Sequence, residues 1–419
     1  MKVIQLSFSD IVGGGGFRAA YRIHHALRRH DIDSNMAVSI KGTDDWTVKK
    51  VPDTKISRII AQARASVGYL PHRLWLKTEN PIIHSPALLP SRWPDLVNHS
   101  DADLVHMHWV NSEMLSIADI GKLRKPVVWT LHDMWAFCGA EHYTDGDRYQ
   151  SGYFSDNRPS YESGFDLNRW TWNRKHKHWK RPFQIVTPSH WLAACVSKSA
   201  LMRDWPVTVV PNTIDTEVWQ PIDQKLARQL LSLPTDVPLL LFGAGGGTRD
   251  PRKGFDLLQA ALEHLRGQMP QLQLVVFGQG APKDQVDLGF PIHYTGRLHD
   301  ELSLRTLYSA ADAMVIPSRQ DNLPNTGLEA HACGTPVIAF HVGGLPDIVD
   351  HCKTGYLAKP FDTIDLAKGI QWVIIDENRL NSLSICSRQR AIDNWSPHIV
   401  VKSYEKIYQN VLENNSKYF

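Results

Sequence analysis

The sequence predicts an α/β protein with two domains, each built on a mainly parallel β-sheet flanked by helices. The first observation is length, because 419 residues exceed what one hydrophobic core usually supports. The second is a pattern of buried strand, glycine-rich loop and helix that begins each half. The strands of this pattern are residues 2–8 and 238–242, followed by glycine loops at 13–16 and 243–248. This order is typical of Rossmann-like domains.

The boundary between the halves is marked by proline. Pro221, Pro234 and Pro238 fall within a short stretch that separates two segments rich in strands. We therefore place an N-terminal domain at residues 1–215 and a C-terminal domain at residues 216–395.

The composition excludes several classes of protein. With 42% hydrophobic and 21% charged residues the chain is predicted to be globular, and its net charge of +3 is too small to indicate nucleic acid as the main partner. Five cysteines without paired metal-ligand spacing suit a reducing cytoplasm. The N-terminal residues form a predicted strand rather than a signal peptide, and no apolar run of about 18 residues predicts a membrane span. We therefore expect a cytoplasmic protein.

The first glycine loop is predicted to bind phosphate. Gly14, Gly15 and Gly16 precede a helix over residues 17–27, and glycines let backbone amides approach a phosphate closely. A dinucleotide also needs an acidic residue about 20 positions further on, at the end of the second strand. That strand, residues 35–40, is followed by Lys41, which is basic and not acidic. An NAD-dependent oxidoreductase is therefore disfavoured, but it stays an alternative.

A basic amphipathic segment occupies residues 56–76. Its isoleucines recur near helical spacing, with arginines alongside. Such a segment can lie on a membrane surface, or it can be an ordinary core-facing helix with solvated arginines. Peripheral contact with the inner face of a membrane is therefore a hypothesis.

Histidines follow two strands of the first half. His106 and His108 share one face of a strand, but without a third ligand they are a weak zinc signal, and Asp101 and Asp103 are interpreted as a cap and turn. We predict no metal site. His132 ends the next strand, where α/β sheets place ligand-binding residues.

Two further stretches of the first half suit an acceptor. Residues 141–166 form a long polar and aromatic insertion of the kind that builds a binding face or lid. Residues 170–181, WTWNRKHKHWKR, interleave tryptophans with basic residues, which suits an anionic or stacking acceptor such as a lipid-linked diphosphate sugar. A solvated basic helix is an equal alternative.

The second glycine loop carries cations. Arg249, Arg252 and Lys253 stand directly before Gly254. Positive charge here would stabilise a leaving diphosphate as its bond to a sugar breaks.

Residues 312–340 form a predicted βαβ unit, with strands at 313–316 and 336–340 around a helix that begins near Asn325. Asp321 and Glu329 lie eight residues apart, in the loop and in the helix. Backbone amides near the helix start favour an anion, while the two carboxylates suit sugar hydroxyls. Pro324 has no amide hydrogen, so these amides would come from its neighbours: Asn322, Leu323, Asn325 and Thr326.

The run from Glu329 to Val337 reads EAHACGTPV. With the acidic pair before it, this run resembles the donor-sugar motif of family 4 of the retaining glycosyltransferases, which have the GT-B fold. The resemblance implies two Rossmann-like domains facing an interdomain cleft, with a last helix at 396–419 that packs back on the N-terminal domain. This sequence departs from the motif in having Asp321 where the first acid is usually Glu, and Asn-Leu-Pro where Gly-aromatic-Gly is usual.

The resemblance also assigns roles. It implies that Glu329 holds the nucleotide ribose, that Asp321 and His132 meet the donor sugar, and that Lys253 neutralises the diphosphate. Arg249 or Arg252 would assist Lys253, the backbone near Arg297 would meet the base, and the loop at Gly14, Gly15 and Gly16 would close over the diphosphate. Within the family, HMHW at 106–109, TLHDMWAF at 130–137 and PSHWL at 188–192 are similar to the colanic-acid-type polysaccharide glycosyltransferases.

The resulting expectation is a retaining, metal-independent glycosyltransferase of polysaccharide biosynthesis without a cofactor. Its donor is expected to be a UDP-sugar such as UDP-glucose, and its acceptor a glycan or lipid-linked sugar. A non-catalytic nucleotide-sugar-binding protein and a sugar phosphorylase stay as alternatives.

Overall fold

The computed structural model describes residues 1–51, 63–64, 66–68, 76–78, 80–243, 250–282 and 287–415. Its contacts divide the chain into two compact units. The first unit is Met1–Pro211 with the chain from Val401 onward, and the second is Asn212–Val400. The observed division thus follows Pro211, where the sequence predicts it after residue 215. Most of the basic amphipathic segment, and Arg249, lie outside the described residues.

The first unit is organised around a parallel sheet. Its described strands are β1 (Lys2–Ser9), β2 (Asp33–Ile40), β3 (Val48–Lys50), β4 (Leu76–Thr78), β5 (Leu104–Met107), β6 (Val127–Thr130), β7 (Glu162–Gly164), β8 (Gln184–Thr187) and β9 (Val207–Val209). The sheet has the order β3-β2-β1-β5-β6-β8-β9, and β4 pairs with β7 in a separate antiparallel ribbon. The central strands β5 and β6 are buried throughout, as expected for parallel strands covered on both faces.

Helices cover this sheet. The described helices of residues 1–211 are α1 (Gly15–Arg29), α2 (Trp93–Asn98), α3 (Ile117–Ile120), α4 (Arg148–Ser151), α5 (Leu167–His178) and α6 (His190–Lys198). The insertion at 141–166 therefore contains α4 and β7, and the basic stretch lies mostly in α5. That stretch is not simply a solvated face, because Trp172, Lys175 and Trp179 are buried.

The second unit contains a second parallel sheet. Its described strands are β10 (Leu239–Gly243), β11 (Gln273–Phe277), β12 (Ile292–Gly296), β13 (Ala313–Ile316), β14 (Val337–Phe340) and β15 (Gly355–Ala358), in the order β12-β11-β10-β13-β14-β15. The remaining helices are α7 (Gln224–Leu230), α8 (Phe255–Leu265), α9 (Glu301–Ala310), α10 (Asn325–Ala332), α11 (Leu345–Ile348), α12 (Thr363–Ile374), α13 (Glu377–Trp395) and α14 (Pro397–Asn415). The two Rossmann-like parallel sheets confirm the predicted fold class, and β13, α10 and β14 confirm the βαβ unit.

Each sheet has one point at which the strand order reverses. In the first unit this point lies between β1 and β5, and in the second between β10 and β13. Ligands of open α/β sheets bind beyond the carboxyl ends of the strands at such points. Functional side chains are therefore expected at these two positions. Among the described helices, none is long and apolar enough to cross a bilayer.

Candidate active site

The loops after β10 and β13 are joined where the strand order of the second sheet reverses. A short 3₁₀ turn, Pro251–Lys253, lies just before α8. The amide of Arg319, in the loop after β13, donates to the carbonyl of Arg252 in this turn at 2.8 Å. Gly254 ends this turn with a φ of +66°, and a Cβ there would lie 1.9 Å from the carbonyl oxygen of Pro317. Only glycine fits this position, so the close approach of the two loops depends on it.

A buried carboxylate stands between two cations at this junction. The ammonium of Lys253 lies 2.6 Å from Oδ2 of Asp321, and the guanidinium of Arg252 lies 3.7 Å from Oδ1. The hydroxyl of Ser318 also donates to Asp321, at 3.3 Å. Burial works to raise the pKa of Asp321, but the charges of Lys253 and Arg252 and these hydrogen bonds hold that pKa below its usual value. Asp321 is therefore ionised at neutral pH.

The backbone around Asp321 is fixed by a third loop, which follows β14. The amide of Gly344 donates to the carbonyl of Asp321 at 2.9 Å. Gly343 has a φ of +57°, and a Cβ there would lie 2.3 Å from the same carbonyl oxygen. The loops after β10, β13 and β14 thus meet at one residue, which holds its carboxylate in a fixed direction.

Helix α10 begins directly after this loop. Asn322, Leu323 and Asn325 are buried, and the side-chain amide of Asn212 donates to the carbonyl of Leu323 and to Oδ1 of Asn325. First-turn amides of a helix, here those of Asn325 and Thr326, have no acceptor inside the helix. Together with the helix dipole, they give this end of α10 a partial positive charge that suits an anion.

Glu329 is oriented by a residue that sequence analysis missed. Its carboxylate is buried in α10, and the hydroxyl of Tyr308 in α9 donates to Oε2 at 2.9 Å. No local pattern connects these residues, because they belong to different helices. Arg297, by contrast, is exposed directly after β12, two strands from β10. The structure therefore does not bring Arg297 into the cluster around Asp321.

In the first unit, His132 belongs to a buried polar chain beyond β1, β5 and β6. Its Nε2 lies 3.1 Å from Nδ1 of His108, whose Nε2 lies 2.7 Å from Oε1 of Gln5. Because a carbonyl oxygen only accepts, His108 carries its proton on Nε2 and accepts from His132 through Nδ1. Burial lowers the pKa of His132 to about 4, against the opposing effect of Asp133, so the ring is neutral at pH 7.

The glycine loop approaches this histidine. Gly14 caps α1, and a Cβ on Gly16 would lie 3.1 Å from Cβ of His132. The amides at the start of α1 and the imidazole of His132 thus come together at the carboxyl edge of the sheet. An added Cβ on Gly14 would meet nothing within 4 Å, so Gly16 makes the closer approach of these two glycines.

Both ring nitrogens of His106 make hydrogen bonds within the first unit. Its Nδ1 lies 2.7 Å from the hydroxyl of Tyr408 in α14, and its Nε2 lies 2.7 Å from the hydroxyl of Thr130. Tyr404 reaches Thr130 at 3.0 Å, so α14 is tied to the first sheet by two tyrosines. The described residues contain no group of three His, Cys, Asp or Glu side chains that could hold a metal.

Two family models match the chain, one in each half. The model described as Glycosyltransferase Family 4 matches residues 13–218, and the model described as Glycosyl transferases group 1 matches residues 239–376. The chain is therefore similar in each half to a glycosyltransferase family, and its two Rossmann-like sheets have the architecture of the GT-B fold.

Among curated proteins, the chain is similar to D-inositol 3-phosphate glycosyltransferases. The protein of Stackebrandtia nassauensis is 34% identical over 220 residues, which are 47% of this chain and 48% of the relative. The protein of Xylanimonas cellulosilytica is 32% identical over 228 residues, 49% of this chain and 53% of the relative. The chain thus spans about half the length of the curated relatives it matches.

Solved structures show the same fold over nearly the whole chain. Sucrose-phosphate synthase of Thermosynechococcus elongatus has a TM-score of 0.70 at 18% identity, covering 99% of this chain and 100% of its own. The Anabaena protein HepE in complex with UDP-glucose has a TM-score of 0.65 at 16% identity, covering 98% and 100%. At such identities the likeness concerns the fold alone.

Proposed function

We propose that this protein transfers a glycosyl group from a nucleotide-diphosphate sugar to a glycan or lipid-linked acceptor. The observation that carries the proposal is the cluster of Lys253, Arg252 and Asp321 at the carboxyl ends of β10 and β13. Two cations suit the diphosphate of such a donor, and a fixed carboxylate suits the hydroxyls of its sugar. Helix α10 begins shortly after Asp321, and its first turn adds a partial positive charge that suits the same diphosphate.

The donor is proposed to be a UDP-sugar, with UDP-glucose as the first candidate because HepE, which shares the fold, was solved with it. Glu329, oriented by Tyr308, would accept hydrogen bonds from the ribose hydroxyls. The amides near Asn325 and Thr326 would face phosphate oxygens, and the exposed backbone near Arg297 would meet the base. The glycines at 14–16 and His132 would contact the diphosphate and the donor sugar.

The reaction is proposed to retain the anomeric configuration and to need neither a metal nor a cofactor. The bond between C1 of the sugar and the phosphate oxygen breaks first, through an oxocarbenium-like state. The acceptor hydroxyl then attacks C1 from the same face, and its proton passes to the departing phosphate oxygen. Lys253 and Arg252 stabilise the charge that develops on the phosphate, and losing one such contact costs about 3 kcal/mol, or roughly 10²-fold in rate.

Two kinds of acceptor are proposed for testing. The curated relatives are named for D-inositol 3-phosphate. The motifs that include His106, His108 and His132 are similar instead to the colanic-acid-type enzymes, which makes a growing polysaccharide the second candidate. Both are hydroxyl-rich molecules, so the acceptor is decided by assay.

The test begins with thermal-shift measurements on the full chain, using UDP-glucose, UDP-galactose, GDP-mannose and NAD. We expect stabilisation by a UDP-sugar, loss of that stabilisation in Lys253→Ala and Glu329→Ala, and UDP release that increases when an acceptor is added. Stabilisation by NAD alone would support an oxidoreductase instead. Binding of a UDP-sugar without hydrolysis or transfer to any acceptor would support a non-catalytic binding protein.

A further inference from the structure

A second concave surface lies in the first unit and shares no lining residue with the candidate active site. Its volume is about 490 Å³, within the range of small-molecule sites. It lies between the segment around β7 and the first turns of α5. Its lining includes Arg158, Phe165, Asp166, Arg169, Trp170 and Asn173, and we call this surface the α5 cleft.

The wall of the α5 cleft is held by buried charges. The guanidinium of Arg158 donates to the carbonyls of Ser163 and Gly164, at 3.0 and 2.8 Å, and lies near Asp166. Arg148 pairs with Asp166 at 2.8 Å, and both side chains are largely buried. These contacts make the α5 cleft a preformed surface, so a ligand loses little binding energy to ordering it.

Helix α5 connects the cleft to the segment that follows His132. On its buried side, the ammonium of Lys175 donates to the carbonyls of Trp135, Cys138 and Gly139. Arg169 and Asn173 are four residues apart and therefore share the exposed face of the same helix. The cleft is thus built on the helix that packs against the segment after β6.

The functional groups that the cleft offers are those of a carbohydrate site. Among the described residues, no hydrogen bond or ion pair engages the guanidinium of Arg169 or the side-chain amide of Asn173. Phe165 is 43% exposed and lies edge-on to the partly exposed Trp170 at 6.1 Å. Aromatic surface packs against the apolar face of a sugar ring, and planar amide and guanidinium groups pair with neighbouring hydroxyls.

The same contacts argue against a diphosphate in this cleft. The two terminal nitrogens of Arg158 donate to the carbonyls of residues 163–165. Arg174, which lies over the ring of Trp170 at 4.6 Å, donates to the carbonyls of residues 86 and 87. The start of α5 is already capped by Asp166, which accepts from the amide of Arg169 at 2.9 Å. The guanidinium of Arg169 is therefore left as the cation of the cleft, which suits a neutral or singly charged ring.

We propose that the α5 cleft binds a glycosyl unit of the acceptor, remote from the hydroxyl that reacts. The role of this unit in transfer rests on the proposed function, whereas the binding of a sugar ring to the cleft does not. Such a subsite would position a growing glycan by one of its earlier residues.

The test uses saturation-transfer NMR on the full chain with three probes: methyl α-D-glucoside, methyl β-D-galactoside and methyl β-D-glucuronide. We expect ring protons of at least one probe to receive saturation. The signal should fall at least five-fold in the double variant Arg169→Ala/Asn173→Ala. It should persist in Lys198→Ala, which removes an exposed cation of α6 outside the cleft. Absence of transfer to every probe, or an undiminished signal in the double variant, overturns the proposal.

A second arm separates this proposal from the proposed function. Saturating UDP-glucose should leave the probe bound, and the double variant should keep the wild-type thermal shift with UDP-glucose. Displacement of the probe by UDP-glucose would show that the probe binds at the donor site, and it would contradict the proposal that the α5 cleft binds a sugar. If no nucleotide sugar binds but the probe still depends on Arg169 and Asn173, the proposed function fails while the sugar site stands.

Discussion

The ion pair between Lys253 and Asp321 gives one lysine two roles, which a pair of variants can separate. Lys253→Met removes the partner of a carboxylate whose side chain is 9% exposed, while the lysine itself is 28% exposed. A hydrogen bond to a charged group contributes about 1.5–3 kcal/mol, and the exposure of Lys253 favours the lower end. We expect a loss of about 1.5 kcal/mol in the free energy of unfolding, or roughly 4 °C in Tm.

Lys253→Met/Asp321→Asn should regain most of this Tm, because no buried charge is left without a partner. Its donor turnover, measured as UDP release, should stay at least about 10²-fold below wild type, since the diphosphate still lacks its cation and the donor sugar has also lost the carboxylate of Asp321. The control is Lys353→Met, which removes an exposed pair with Asp350 at 3.2 Å and should change neither quantity measurably.

The pH dependence gives a second check on the same pair. The folded pKa of Asp321 lies below the ordinary 3.8, so its ionisation contributes stability above that pH and the contribution is lost as pH falls through the folded pKa. The Tm difference between wild type and Lys253→Met should therefore shrink below pH 4. If the double variant recovered turnover together with Tm, Lys253 would serve only to neutralise Asp321, and its catalytic assignment would be wrong.

Four further variants test other parts of the structure. Gly254→Ala should cost at least about 3 kcal/mol of stability and abolish donor binding, because it adds a clash with a carbonyl to the strain of a φ of +66°. Gly267→Ala, with a φ of +77° and open space around it, should cost only about 1 kcal/mol, and equal losses in urea unfolding would contradict this account. Tyr308→Phe removes the 2.9 Å hydrogen bond to Glu329 and should raise the donor KM roughly ten-fold with little change in kcat, whereas an unchanged KM would show that Glu329 does not need this partner. Burial lowers the pKa of His106 to about 3, so this ring is neutral when folded but protonated in the unfolded chain below pH 6.5. Acidification from pH 7 to pH 5 should therefore cost about 2 kcal/mol through His106, and His106→Asn should reduce the loss measured by urea unfolding at the two pH values.

Local sequence was sufficient to predict the elements of the second sheet. The apolar run at β13, the helix that begins at Asn325 and the apolar run at β14 each depend on neighbouring residues. The same holds for the glycine loop that caps α1. Periodicity and turn chemistry act over a few residues, so they can be recognised without knowledge of the chain's path.

Residue types also indicated the chemistry of the candidate site, but not its partners. The loop cations before Gly254 and the acidic residue at 321 were both recognised in the sequence. Their pairing was not, because 68 residues separate Lys253 from Asp321. The order of strands, which places β13 beside β10, brings them together.

The sequence by itself determined the strands of the second sheet, the two-domain α/β class and the identity of the charged loop residues, since these follow from local pattern and composition. Only the tertiary structure decided which groups meet. It placed Gln5 against His108, 103 residues away, and Tyr408 against His106, 302 residues away. It also buried Lys175 within a stretch that interleaves tryptophans with basic residues. The physical reason is that hydrogen bonds and ion pairs between distant residues depend on strand order and packing, which no short window of sequence contains.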